Sequence, residues 1–179
     1  MRAITYCDAL LEAQSQEMER DSNVFVYGIG VPDHKAIFGS VSGIYEKFGS
    51  QRCFDTPLSE DTMLGFGLGA ALNGLKPINI HIRVDFLLLA MNQLINHLDK
   101  IKLMSNDRYK IKAIIRTGIG SERPLHPQYQ HVGDFTESVT KMCSNIEVIR
   151  LDETKNIFPA YRIFSIGNIH RHKISFNKS

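Results

Sequence analysis

Residues 55–75 read DTPLSEDTMLGFGLGAALNGL, and this stretch decides how the chain around it folds. Pro57 predicts a turn, because proline fixes its own backbone angle and keeps the preceding residue extended. Residues 61–75 then have the length of a helix, and Gly74 provides its stop. Each glycine inside a helix costs about 1 kcal/mol relative to alanine. A helix this rich in glycine is therefore expected where another backbone packs closely against it.

Short runs of β-branched and aromatic residues on both sides of this stretch predict buried strands. The runs are residues 24–27, 53–55, 78–82, 112–116 and 147–151. Apolar residues recur at helical spacing between them, over residues 5–19 and 87–104. Strands that alternate with helices predict a three-layer α/β/α fold with a mostly parallel sheet. In such a sheet the turns that follow the strands carry the chemistry.

The bulk composition fits one globular domain and excludes several classes of partner. The 179 residues are 43% hydrophobic and 22% charged, which is an ordinary balance for a domain with a real core. A formal net charge of +2, without a cluster of basic and aromatic residues, gives no basis for nucleic-acid binding. The cysteines, Cys7, Cys53 and Cys143, are far apart and predict neither a disulfide framework nor a metal site.

The apolar segments predict a protein that neither enters a membrane nor is exported. The run at residues 86–91 is far shorter than the roughly 20 residues of a membrane span. Residues 1–21 have no uninterrupted apolar core of the kind found in a signal peptide. We therefore expect a cytoplasmic location, or the mitochondrial matrix in a eukaryote.

Several segments together resemble one enzyme family. They are TYCDALLEAQSQEMERD (5–21), IYEKFG (44–49), DTPLSE (55–60), GFGLGAALNGLKP (65–77), VDFLLLAMNQLINHLDKI (84–101) and IIRTGIG (114–120). In order and spacing they are similar to the β subunit of the decarboxylating component of pyruvate or branched-chain 2-oxo acid dehydrogenases. The resemblance covers about residues 1–151. It implies the thiamine diphosphate-binding fold, with this chain as the pyrimidine-binding module.

The resemblance also implies an enzyme subunit that shares its active site with a partner chain. In the family, an α-type subunit binds the diphosphate of thiamine diphosphate, and the cofactor lies across the interface. The GDG motif of the family's magnesium site does not occur in this sequence, so magnesium is expected on the partner. The implied reaction decarboxylates a 2-oxo acid and transfers the acyl group, with a lipoyl-bearing acyltransferase as an implied acceptor. The chain is expected to be inactive alone and to self-associate through the glycines of residues 65–69.

Glu60, Phe86 and Leu58 are implied to bind the cofactor. Glu60, at the end of DTPLSE, matches the glutamate that hydrogen-bonds the aminopyrimidine ring nitrogen and starts catalysis. The alternative is a helix N-terminal acid, because Ser59 and Glu60 stand where capping groups occur. Phe86, after the aspartate of VDF, is implied to stack on the ring, with ordinary core packing as the alternative. Leu58 is implied to shape the cofactor cleft.

The loop at residues 118–131, GIGSERPLHPQYQH, departs from the family pattern. Family members carry a GxxHSQ-like loop whose histidine contacts the substrate or the lipoyl group. Here Tyr129 stands at that position, and His126 and His131 flank it. Either histidine can transfer protons near neutral pH if the loop folds inward, so both are candidate catalytic residues. A polar surface loop is the alternative.

The carboxyl-terminal part leaves other functions open. The pyrimidine-binding domain is expected at residues 1–151, followed by a short tail at 152–179 that shows little periodicity after Phe164 and could be disordered. The second domain that continues family β subunits does not fit in this length. A non-catalytic truncated domain is therefore one alternative, and the altered histidine loop leaves a split transketolase or synthase-like subunit as another.

Overall fold

Parallel strands form one sheet in the part of the chain that a computed structural model describes, residues 3–33, 35, 37–120, 127–164 and 172–178. The strands are β1 Val24–Gly28, β2 Cys53–Phe54, β3 Lys76–His81, β4 Ile114–Ile119, β5 Ile146–Leu151 and β6 His172–Lys178. Their order across the sheet is β2-β1-β3-β4-β6-β5, and every pairing is parallel. The predicted α/β fold is confirmed.

Helices cover both faces of the sheet, as expected for three layers. They are α1 Tyr6–Arg20, α2 Ile44–Phe48, α3 Glu60–Leu72, α4 Val84–Leu87, α5 Ile101–Met104, α6 Thr136–Met142 and α7 Ile157–Tyr161. Short 3-10 turns lie at Ile37–Gly39, Leu88–Ala90, Tyr129–His131, Thr154–Asn156 and Arg162–Phe164, and a π-helix at Asn92–Leu98. Helices α1 and α7 form one hydrophobic core with β1, β3 and β4. Helix α3 and the stretch 84–98 form a second core with β4 and β5 on the opposite face.

Side chains of β3 alternate between these two cores. Ile78 and Ile80 are fully buried in the core that contains α1 and α7. Successive strand residues point to opposite faces, so Asn79 and His81 point toward the side of α3. Both are buried as well. Both faces of this strand are therefore covered, although its sequence alternates apolar and polar residues.

The helical stretch after β3 is amphipathic. Val84, Leu87, Leu94 and Leu98 are buried at helical spacing, which confirms the predicted periodicity. Leu89 on the same stretch is 64% exposed. Among the described residues, no helix combines the length and the apolar character that crossing a membrane requires.

Residues 152–179 differ from the expected tail where the structure describes them. Helix α7 buries Ile157, Ala160 and Tyr161 against the core of α1, because these apolar residues recur at helical spacing. Strand β6 lies between β4 and β5 and pairs with both. The sheet therefore extends beyond residue 151, where the sequence placed the end of the domain.

The glycines of α3 mainly serve contacts within the chain. A Cβ atom on Gly67 would lie 2.1 Å from the Tyr27 hydroxyl oxygen, which leaves no room for a side chain. That hydroxyl donates a hydrogen bond to the Met63 carbonyl oxygen at 2.9 Å. A Cβ on Gly65 would lie 3.4 Å from the Gln93 side chain, whereas one on Gly69 would meet nothing within 4 Å. Gly67 is buried against β1, so the expectation that it faces a second subunit is wrong, whereas a subunit contact through Gly65 and Gly69 stays a prediction.

Candidate active site at the carboxyl edge of the sheet

The candidate residues meet at one edge of the sheet. Strands β1 to β4 are parallel, so their carboxyl ends lie on the same side. Residues 55–59 follow β2, residues 82–83 follow β3, and the segment with Tyr129–His131 follows β4. Open α/β sheets place their ligands outside this edge. The sequence-based candidates that the structure describes are Leu58, Glu60, Phe86 and His131, and all lie in or directly after these connections.

Glu60 is the first residue of α3 and is only 7% exposed. No described residue forms a hydrogen bond or an ion pair with its carboxyl group. The Ser59 hydroxyl donates to Thr62 Oγ1 at 2.8 Å, and no side chain at Ser59 caps the helix backbone. A carboxyl group that is mostly withdrawn from solvent at this edge of the sheet is a common feature of ligand sites. This arrangement fits an uncharged heterocycle with a ring nitrogen, which can share a proton with the carboxyl group.

Asp55 ties the connection after β2 to the connection after β1. Its Oδ1 accepts hydrogen bonds from the backbone N–H groups of Gly30 and Thr56, both at 2.8 Å. The two loops beside Glu60 are therefore held together by one carboxylate. The sequence motif DTPLSE contains Asp55, but the long-range bond to Gly30 leaves no signal in the sequence.

An apolar cavity of about 260 Å³ opens beside the start of α3. Its lining residues are Phe54, Asp55, Thr56, Pro57, Ser59, Thr62, Met63 and Phe66. The rings of Phe54 and Phe66 lie 6.0 Å apart, edge to face. Glu60 and Phe86 do not line this cavity. It is therefore adjacent to the predicted cofactor residues and is not formed by them.

Leu58 projects from the same loop and is 80% exposed. A leucine this exposed gains nothing from the core of its own chain. It is available to an apolar ligand or to a partner subunit.

Phe86 lies in α4, half-buried, with its ring centroid 5.1 Å from that of His131. Residues next to Phe86 in the sequence form hydrogen bonds with the loop that contains His131. Arg83 Nη1 donates to the His131 carbonyl oxygen at 2.9 Å, and Asp85 Oδ1 accepts from the backbone N–H of Gly133 at 3.3 Å. The short segment 83–86 therefore fixes residues 131–133 after β4.

The three candidates for the family histidine have different environments. His131 is half-buried, and its Nδ1 is buried without a partner among the described residues. Tyr129 is 90% exposed and points away from the protein. His126 lies outside the described residues. Of the histidines proposed for catalysis, the structure thus brings His131 next to Phe86.

His81, at the end of β3, is a buried residue that the sequence analysis did not single out. Burial lowers the pKa of His81 to about 4, so the ring is neutral at neutral pH. Its Nε2 is 2.8 Å from Asn79 Oδ1, and its Nδ1 has no partner among the described residues. The alternation in INIHI could have placed His81 beside Asn79, because residues two apart share a face.

Within the described ranges, no group of three or more His, Cys, Asp and Glu side chains is placed to hold a metal ion.

Relatives of the chain are known from sequence. The family described as transketolase, pyrimidine binding domain, matches residues 2–166. The 2-oxoisovalerate dehydrogenase subunit beta of Bacillus subtilis (strain 168) is 40% identical over 120 residues, which are 67% of this chain and 37% of the relative. The pyruvate dehydrogenase E1 component subunit beta of Gracilaria tenuistipitata var. liui is 34% identical over 129 residues, 72% of this chain and 40% of the relative. The chain thus spans about two fifths of the length of these relatives.

Two solved structures share the fold of this chain. A split gene transketolase, described as an inactive beta4 tetramer, superposes with a TM-score of 0.72 over 99% of this chain and 52% of its own, at 13% identity. A putative thiamin diphosphate-dependent enzyme from Mycobacterium smegmatis superposes with a TM-score of 0.61 over 94% of this chain and 30% of its own, at 11% identity. At these identities the likeness concerns the fold alone. The family match over residues 2–166 shows that the chain belongs to the transketolase pyrimidine-binding domain family.

Proposed function

We propose that the chain supplies the pyrimidine-binding half of a thiamine diphosphate site in an enzyme that decarboxylates a 2-oxo acid of the pyruvate or branched-chain type and transfers the acyl group. One observation carries the proposal: Glu60 is buried at the carboxyl edge of the sheet and no described residue pairs with its carboxyl group. When bound, thiamine diphosphate supplies the carbon nucleophile that attacks the carbonyl group of a 2-oxo acid.

Glu60 would hold a proton at the ring nitrogen of the aminopyrimidine. Its place at the start of α3 gives it a fixed position at the carboxyl edge of the sheet. A bound heterocycle would remove the remaining solvent from Glu60, which is only 7% exposed. Glu60 can then exchange its proton with the ring without competition from water.

Phe86 and Leu58 would hold the ring in place. Phe86 offers an aromatic face, and an offset stack contributes about 1 kcal/mol beyond burial. Leu58 is apolar and 80% exposed, so it can cover the ring or the partner subunit without disturbing the core. Neither residue supplies a proton, and both would act by binding and orientation.

His131 would transfer a proton to or from the reacting group. Its backbone is fixed by Arg83 and its ring is in contact with Phe86, so it lies beside the proposed cofactor position. A histidine can donate and accept protons near neutral pH. His126 has the same chemistry and is the second candidate for this role.

The diphosphate and magnesium would lie on a partner chain. The sequence has no GDG motif, and the relatives that it matches are β subunits by name. We therefore propose a diphosphate-binding α-type subunit as the partner, self-association of this chain, and inactivity of the chain alone. A lipoyl-bearing acyltransferase is the proposed acceptor of the acyl group.

The experiment is an assay of the chain with its diphosphate-binding partner, hereafter the assembled enzyme. Pyruvate and branched-chain 2-oxo acids should release carbon dioxide in the presence of thiamine diphosphate, magnesium and a lipoyl acceptor. The position of Tyr129, exposed where the family has its histidine, makes a ketose donor the second substrate to test. Turnover of the ketose but not of the 2-oxo acids would favour a split transketolase, and no turnover of either would favour a non-catalytic domain.

A further inference from the structure

We propose that Asp85 is a positioning residue for His131, with its carboxylate accepting a hydrogen bond from Nδ1–H of the His131 ring and so fixing one tautomer. This inference rests on the proposed role of His131 in proton transfer. It adds a residue that neither the family match nor the sequence motifs assign to that role.

Asp85 lies in the segment 83–86, which packs closely against the loop at residues 131–133. Its Oδ1 accepts from the Gly133 N–H at 3.3 Å. A Cβ atom on Gly133 would lie 2.7 Å from the same oxygen and 2.6 Å from the ring of Phe135. A side chain at residue 133 would require Asp85 or Phe135 to move, so glycine allows the loop to pass this close to Asp85. Two residues before it, the His131 ring contacts Phe86, the next residue after Asp85.

Two buried polar atoms at this contact have complementary chemistry. Asp85 Oδ2 and His131 Nδ1 are each buried, and neither has a hydrogen-bond partner among the described residues. An ionised carboxylate oxygen only accepts hydrogen bonds, whereas a ring nitrogen of histidine can donate one. Leaving both atoms unpaired is unfavourable, because each has lost its contact with water without gaining a hydrogen bond. We infer that a side-chain rotation closes the contact between them.

The charged groups that face His131 agree with this pairing. On the segment packed against it, Arg83 and Asp85 are the described charged residues. Arg83 binds the His131 carbonyl oxygen, so its guanidinium is directed to the backbone. Asp85 is left as the group that can accept a hydrogen bond from the ring N–H. A proton held on Nδ1 leaves the Nε2 lone pair free to accept a proton from the reacting group, and the carboxylate stabilises the positive ring that results.

The test is the tautomer of His131, read by nitrogen-15 NMR of the histidine-labelled chain under mildly alkaline conditions. A His131→Gln variant identifies the signals. We expect the wild-type ring to carry its proton on Nδ1. In Asp85→Asn, the amide oxygen can still accept from Gly133, but the amide nitrogen now donates toward Nδ1. The proton should therefore move to Nε2, so that the major tautomer inverts.

Asp134→Asn is the matched control. Asp134 is also close to His131 in sequence, but its carboxylate binds the backbone N–H and hydroxyl of Thr136 and pairs with Arg150. Its loss should leave the tautomer unchanged. A wild-type ring protonated on Nε2, or the same tautomer in wild type and Asp85→Asn, overturns the proposal. If Asp85→Asn does not fold, the wild-type tautomer alone decides.

Activity gives a second reading that separates this inference from the proposed function. In the assembled enzyme, Asp85→Asn should lower kcat by about 100-fold with little change in KM, because the ring presents the wrong nitrogen. The NMR experiment needs neither cofactor nor turnover. An enzyme without thiamine activity but with the expected tautomer inversion would therefore reject the proposed function and leave the Asp85–His131 pair standing.

Discussion

The ring of Phe86 lies 5.1 Å from the ring of His131, at an interplanar angle of 48°. The two residues come from different connections, one after β3 and one after β4. The residue expected to stack on the cofactor and a residue expected to move protons are thus neighbours. Changes at Phe86 should affect both binding and proton transfer.

Phe86→Leu should weaken binding of thiamine diphosphate to the assembled enzyme. The variant keeps an apolar side chain but loses the aromatic stack, which is worth about 1 kcal/mol. This corresponds to a Kd raised about five-fold. Calorimetric titration measures the change. Phe48→Leu is the control. Phe48 packs against the core of α1 and ends α2, far in sequence from the candidate site. Equal effects of both variants on the Kd would contradict the role given to Phe86.

Glu60→Gln should lower turnover of the assembled enzyme by at least about 100-fold, because the amide cannot exchange a proton with the cofactor ring. Folding should be nearly unaffected, since no described residue pairs with the carboxyl group. Steady-state turnover and the Tm measure the two effects. Asp61→Asn is the matched control on the same helical turn, where Asp61 accepts a hydrogen bond from Gln93 at 3.1 Å. Full activity of Glu60→Gln would remove Glu60 from the mechanism.

Gly67→Ala and Gly69→Ala should have opposite effects on stability. A Cβ on Gly67 collides with the Tyr27 hydroxyl at 2.1 Å, and overpacking of this kind costs about 1–3 kcal/mol. A Cβ on Gly69 meets nothing within 4 Å, so alanine should stabilise α3 by up to about 1 kcal/mol. Urea unfolding, with the oligomeric state recorded by light scattering, checks both values. A destabilising Gly69→Ala that also dissociates an oligomer would show that this position is a subunit contact.

His81 should make the stability of the protein depend on pH between about 4 and 6.5. Burial lowers the pKa of His81 to about 4, whereas an unfolded histidine titrates near 6.5. Between these values the unfolded chain binds more protons, so stability falls as the pH is lowered. The total loss is about 3 kcal/mol. Unfolding free energies of wild type and His81→Gln, measured at pH 7 and pH 4.5, should lie closer together at the lower pH. The same difference in unfolding free energy at both pH values would contradict the lowered pKa of His81.

The layered fold could be predicted because it depends on local patterns. The apolar run around Val26 and the alternation around Ile80 specify buried strands, and Leu87, Leu94 and Leu98 specify an amphipathic helix. Strand β6 was not predicted, since the basic, serine-containing sequence at residues 172–178 has only two apolar residues, Ile174 and Phe176, and so short an alternation does not identify a strand. Its place in the sheet depends on pairing with β4 and β5, which are distant in the sequence.

The candidate site could be predicted only in part, for the same reason. Glu60 belongs to a motif that stands before a helix, so its place at the sheet edge followed from local order. The contacts of Phe86 with His131 and of Asp85 with Gly133 join segments more than 40 residues apart, and no spacing rule indicates them. The buried His81 was visible as an inward position of β3, but its neutral state depends on how completely the surrounding helices exclude water.

The most direct test of the shared-site proposal is calorimetric titration of thiamine diphosphate with magnesium, first into this chain alone and then into its mixture with the diphosphate-binding partner. A half-site that contributes Glu60, Phe86 and Leu58 but neither diphosphate nor magnesium ligands should bind only in the mixture. Binding in the mixture, lost in Glu60→Gln or weakened in Phe86→Leu, is the predicted result. No binding in either experiment would contradict the account.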